Sequence, residues 1–344
     1  MKKLLVLTIL ASLLYGCQLI VKMTDSKKSK GEFVSTEIAQ SSNQYFWDHF
    51  HQGNYDSIPK IINRLNLALS DNPKDVVSTA HLGFVHVWAL SERQRLEEPR
   101  ADITEHAFLS RRYFAEAYKM NPHDPRILGF LADLTLAEGN ISEDQQTVVD
   151  GYFKGLKSIR QWPQFNKFSI GYIFSILDTT DKNFAKALEW QYETLDDCAC
   201  QKIDRQGDYV AAIRKIKNNK DPKIARACWN SWIAPHNWEG FCLNFGDMLT
   251  KKGTLAEAKK IYQLARLSDT YASWPYKSVL EARIEKLASN YPQFNQPLDE
   301  LNLNQQKVVL FNSRYSCVSC HQMSSQDLQR YDRLALPPVS YYNF

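Results

Sequence analysis

The 344-residue sequence has little glycine and little proline, thirteen of each. That excludes collagen-like and low-complexity classes. It has no strong excess of one charge, with 42 Lys+Arg against 38 Asp+Glu, which argues against a dedicated nucleic-acid binder. It has one long apolar run, at the N-terminus, so a polytopic membrane protein is excluded. It contains no P-loop, no G-x-G-x-x-G, no G-x-S-x-G and no H-E-x-x-H, and with them go the usual nucleotide, serine-hydrolase and zinc-protease signatures. Paired acids such as Asp196-Asp197 are neighbours in sequence and define no acid/base site. What is present is a 44% hydrophobic composition, enough for a real core, and a length that allows two domains or one elongated array. Seven cysteines is an odd number that needs an explanation in an exported chain.

Lys2 and Lys3 form a short basic segment and Leu4 to Leu14 an apolar one, too short to span a bilayer comfortably. Leu14-Tyr15-Gly16-Cys17 then resembles a bacterial lipoprotein signal, with Tyr15 bulkier than usual. The resemblance implies removal of residues 1–16, lipidation of Cys17 and anchoring by acyl chains. Gln18 stands where Asp would favour inner-membrane retention, so the expected location is the outer membrane, facing the periplasm. Residues 17–40 are polar and read as a tether. An ordinary secretory signal with a chance cysteine is the plain alternative.

Beyond the tether, apolar residues recur at three and four, and strict alternation is rare, which predicts an all-α protein. From Phe241 to Ala265, the residues Cys242, Phe245, Gly246, Leu249, Gly253, Ala258, Tyr262 and Ala265 keep a distinctive spacing. Small residues fall where two antiparallel helices touch, large ones fill the groove, and Gly253 permits the turn. Phe114 to Pro122 reads as the second helix of another hairpin and Asp124 to Gly139 as the first helix of the next. Leu65, Ala68 and Pro73 repeat the helix-end spacing, and Leu82-Gly83 opens a further unit. Over residues 41–295 the chain thus resembles a degenerate tetratricopeptide repeat protein, an α-solenoid of helix hairpins. That resemblance implies a concave face that binds protein partners. Phe184 to Trp190 matches weakly, residues 91–104 and 140–150 read as insertions, and residues 195–225 fit no repeat. A generic helical bundle is the competing reading.

Cys317-Val318-Ser319-Cys320-His321 is the sharpest signal. C-x-x-C-H reads as a c-type haem attachment motif. Two thiols at this spacing add to the two haem vinyl groups, and the adjacent histidine is held under the iron as proximal ligand. Composition alone gives roughly 0.003 expected occurrences, so the motif is not a compositional accident. Residues 296–344 resemble the opening of a small cytochrome c domain, and the resemblance implies one covalent haem c. In such cytochromes a downstream proline carbonyl often orients the proximal histidine, a role that Pro337-Pro338 would fill. Only 23 residues follow His321, too few for a complete domain, so the repeat body or a partner must supply much of the pocket. Met120, Met248, His49, His51, His81, His86, His106, His123 and His236 are the possible distal ligands, and none stands out. A five-coordinate iron, a Cys317–Cys320 disulfide and a zinc site are the alternatives.

Cys198, Cys200, Cys228 and Cys242 are disulfide candidates with three connectivities possible, of which the one joining Cys198 to Cys200 is set aside because they are too close, leaving each to pair with Cys228 or Cys242; a metal cluster with His236 and a free core thiol at Cys242 are the other readings. The eight tryptophans, the Trp229 to Trp238 cluster among them, read as packing, and the basic run Lys215 to Lys223 as a solvated face. Together these features imply an envelope lipoprotein that carries electrons or senses small molecules with a protein partner, without a catalytic acid, base or nucleophile and without nucleic acid. The contrasting expectation is a non-redox adaptor lipoprotein with structural C-terminal cysteines.

Overall fold

The computed structural model describes residues 35–96, 102–199, 201–216, 237–299, 302 and 305–323. The lipoprotein signal, Cys17, Cys200, Cys228, His236 and Pro337-Pro338 lie outside the described residues.

The described residues form fourteen α-helices. In chain order these are α1 (Glu37–Gln52), α2 (Ile58–Asp71), α3 (Val76–Ser91), α4 (Glu105–Met120), α5 (Pro125–Ile141), α6 (Gln145–Gln161) and α7 (Pro163–Ile173). They are followed by α8 (Lys182–Ala199), α9 (Tyr209–Ile216), α10 (Trp238–Lys252), α11 (Leu255–Leu264), α12 (Lys277–Glu285), α13 (Leu287–Phe294) and α14 (Val318–His321). None of the described helices is long and apolar enough to cross a membrane.

Local chemistry sets the boundaries. Thr36, Asp75, Asp124, Asp144 and Asn237 each accept a backbone N–H of the first turn of the helix they precede, supplying partners to otherwise orphaned donors. Pro125 and Pro163 begin helices where their missing N–H costs nothing. Gly53 (φ 70°) and Gly253 (φ 88°) end α1 and α10 in the left-handed region, where glycine carries no Cβ penalty.

The helices pack as sequential antiparallel pairs: α1/α2, α3/α4, α5/α6, α7/α8 and α10/α11. Small residues allow the close crossings. A Cβ on Gly246 would lie 2.3 Å from the Tyr262 ring, and one on Gly151 would lie 2.8 Å from the Leu136 backbone nitrogen. Residues 140–150 are not an insertion. Asn140 and Ile141 end α5, Glu143 takes a left-handed turn (φ 54°), and Asp144 caps α6, the second member of the pair, which residues 145–150 begin. In the same way α1 starts at Glu37, about one turn inside the stretch read as tether. Residues 201–216, the described part of 195–225 beyond α8, do depart from the pairing. After α8 ends at Ala199, the short α9 buries Tyr209 and Ile213 in the core.

The C-terminal segment is not a separate tail. Leu310 lies wholly in the core, and α14 bridges two clusters. Cys320 joins the one built on Trp238, Phe241 and Phe245, and Val318 joins the one built on Phe46, Phe50 and Trp88. The segment therefore connects the first and fifth helix pairs.

Gly246→Ala tests the pairing. Tyr262 is fully buried and its hydroxyl donates to Asp247 Oδ1 at 2.5 Å, so its ring has little room to move. The expected loss is about 1–3 kcal/mol of stability, read from urea unfolding.

Candidate functional site

The inner helices of the pairs and the Cys317 to His321 turn line a half-open cavity of about 1370 Å³. It exceeds the roughly 300–1,000 Å³ of ordinary small-molecule pockets. Its wall is mostly aliphatic and aromatic. Phe46, Phe50, Phe84, Trp88, Phe130 and Phe168 contribute to it, as do Cys317, Cys320 and His321. The three motif residues thus face a single apolar space.

Several elements hold the motif turn. Glu92, at the end of α3, is 0% exposed. Its Oε1 accepts the backbone N–H groups of Cys317 (3.0 Å) and Val318 (2.8 Å). Its Oε2 accepts Trp88 Nε1–H at 2.9 Å and pairs with Arg95 at 2.8 Å. On the far side, Ser319 O accepts from Asn237 Nδ2 (2.9 Å) and Trp274 Nε1 (3.0 Å), and Asn237 N–H donates to Cys320 O at 2.8 Å. Tyr172 donates to Ser316 O at 2.8 Å, and Tyr276 to Gln322 Oε1 at 2.6 Å. Gly240 makes room for the cysteine: a Cβ there would sit 2.4 Å from Cys320 Sγ.

Cys317 and Cys320 are unbridged thiols. Burial raises the pKa of both thiols, Cys320 to about 12, with the Glu92 charge adding to the effect at Cys317. Such thiols stay protonated near neutrality, unlike the thiolates of redox C-x-x-C enzymes. No group of three or more His, Cys, Asp or Glu able to hold a metal ion occurs among the described residues.

Of the distal-ligand candidates, His81 is the described one that lines the cavity. Its Nδ1 lies 2.6 Å from Asn43 Oδ1, and Ser78 orients that amide by accepting Asn43 Nδ2 at 3.1 Å. The carbonyl acceptor fixes the proton on Nδ1 and leaves the Nε2 lone pair bare. Phe50, Phe46 and His81 stack in that order, at 5.4 and 4.6 Å, and His321 meets Phe50 at a tilt, 4.7 Å away. His51 packs on Trp47, and His86 lies 2.8 Å from His106 through their Nδ1 atoms. His49 bonds Asn54, His123 is exposed and Met248 is core. Met120 packs at the edge of a different cluster.

Cys198 is disulfide-bonded. Cys242 is a fully buried free thiol, so the two-disulfide scheme that used it does not hold. Its place where α10 meets its neighbours accounts for its burial. Sequence reasoning missed Glu92, which fell in a segment taken as an insertion, and Asp133, a lone acid within an apolar helical stripe.

Fold and site together define an all-helical protein of stacked antiparallel helix pairs, with residues 305–323 packed against the first and fifth of them. Comparison with protein-family models, with curated proteins and with solved structures returns no match.

Glu92→Leu leaves two amides, an indole N–H and a guanidinium without their acceptor. It should cost about 3–5 kcal/mol and expose residues 305–323 to limited proteolysis. Glu92→Gln keeps a carbonyl oxygen for the amides, and the loss should be smaller. Burial also sets an acid limit. It lowers His86 from its ordinary 6.5 to about 4, with His106 adding to the effect, and lowers His81 to about 3. Between pH 6.5 and about 4 the unfolded chain binds protons that the folded chain refuses. Stability should therefore fall with acidification, by about 1.4 kcal/mol per pH unit for each ring, and His86→Gln should flatten the slope measured by urea unfolding.

Proposed function

We propose that this chain is an envelope lipoprotein of tetratricopeptide-like hairpins, anchored through Cys17, that carries one c-type haem on Cys317 and Cys320 with His321 as proximal ligand. Its role is electron transfer or small-molecule sensing with a protein partner. The observation that carries the reading is the convergence of Cys317, Cys320 and His321 on one large, largely apolar cavity. The residues suit the group: an apolar planar ligand needs an aromatic, water-poor wall, and the thiols that would link it are unbridged. Residues of the helical body share that cavity with the motif, so they could supply the pocket of a group joined there. When bound, the group supplies one-electron chemistry or an iron site for small ligands. The chain's own part is to hold the motif turn through Glu92, Asn237 and Trp274 and to exclude water.

The test is expression in a host with cytochrome c maturation machinery, followed by a pyridine haemochrome spectrum and intact mass. The expected result is the sharp band of a double-thioether haem and a mass increased by one haem. Cys317→Ala or Cys320→Ala should shift the band to that of a single thioether or abolish it. A colourless protein of unaltered mass would overturn the reading and leave the adaptor lipoprotein as the function.

A further inference from the structure

Asp133, on α5, lines the same cavity away from the motif turn. It is 4% exposed, and its Oδ1 has no hydrogen-bond partner among the described residues. Burying a polar group without a partner costs about 1–3 kcal/mol by mutational measures, and an isolated charge costs far more. Buried side-chain polar atoms in folded proteins nearly always find partners. The other charged groups on this wall do not serve it. Arg126 is held by Asp124 at 2.7 Å, and Arg93 donates to Leu90 O at 3.2 Å. Burial holds the Asp133 carboxyl well above the usual carboxylate range, because its ionised form has no counter-charge there.

Aromatic rings border the same wall. Phe130 sits one turn before Asp133 on α5. It meets Phe84 of α3 edge-on at 4.5 Å and Phe165 of α7 edge-on at 5.8 Å, and all three rings line the cavity. Aromatic faces attract cations, and more strongly when water is excluded. An anionic ligand would be repelled by an ionised Asp133, and a purely apolar ligand would leave the carboxyl unsatisfied.

We propose that this part of the cavity, formed by α3, α5 and α7 around Asp133, is a binding site for an apolar organic cation, an alkyl- or arylammonium. The ammonium group supplies the counter-charge of ionised Asp133, and its hydrocarbon part fills the apolar wall. The site shares its cavity with the group proposed above but rests on Asp133 and the rings around Phe130, not on the motif turn.

The experiment is calorimetric titration of the full chain with dodecyltrimethylammonium below its micelle concentration, with dodecanol as the uncharged control. Each ligand is titrated into the native protein and into Asp133→Asn, and circular dichroism confirms that the variant is folded. The expected result is a loss of about tenfold or more in ammonium affinity in Asp133→Asn, with dodecanol affinity unchanged. An unaffected ammonium affinity, the absence of ammonium binding, or an equal loss for both ligands would each overturn the proposal.

Discussion

The carboxylate of Glu92 binds two ends of the chain together. It lies 225 residues before Cys317, whose amide it accepts. The first turn of any helix presents backbone N–H groups without internal partners, and α14 is so short that it has little else to stabilise it. Glu92 supplies the acceptor, while Trp88 and Arg95 hold Glu92 itself in place. Arg95 also donates to Arg314 O at 2.8 Å and to Gly53 O at 3.2 Å. The end of α1, the end of α3 and the motif turn are thus fixed to one another around a single buried charge. Without it the start of the motif turn would lose its acceptor, and Asn237, Trp274 and Tyr172 would hold the turn by its carbonyls alone.

A second buried cluster does the same for the preceding strand of chain. Asp247 Oδ2 accepts Leu310 N–H at 2.9 Å, its Oδ1 lies 3.2 Å from Arg283 Nε, and Arg283 donates to Val308 O at 2.7 Å. Both carboxylates work by satisfying backbone groups in an irregular segment that has no helix or sheet to satisfy them. Breaking such a buried arrangement by removing one partner is strongly destabilising. This explains how a segment with almost no regular structure lies in the core rather than on the surface.

The parts legible in sequence were those that repeat locally. The α10/α11 pair followed from the spacing of Gly246, Leu249, Gly253, Ala258 and Tyr262, because a close crossing needs small residues at fixed intervals. The C-x-x-C-H motif needs no neighbours to be recognised. Residues 140–150 were misread because the turn residue was Glu143 rather than glycine, and a left-handed glutamate leaves no signature. Glu92 was illegible for a different reason: a glutamate beside Arg93 and Arg95 has the pattern of a solvated loop, and its partners lie at the other end of the chain. Cys242 was legible as a helix-contact residue, and cysteine counting alone had drawn it into a disulfide. Packing position was the better guide there, since small buried thiols fill helix contacts without bonding.

The spacing of Cys317 and Cys320 is shared by haem-attachment motifs and by dithiol redox enzymes, and the surroundings separate the two chemistries. A nucleophilic thiol needs its thiolate stabilised by a helix N-terminus, a nearby cation or solvent. Here α14 has four residues, Cys320 is buried against Gly240, and the nearest fixed charge to Cys317 is the negative Glu92. Each of these raises the energy of the thiolate. The same burial would exclude water from an apolar group joined at the two sulfurs, and the aromatic wall opposite offers such a group a surface to pack on. Electrostatics that oppose thiol exchange are therefore compatible with thioether linkage, since a thioether carries no charge to stabilise.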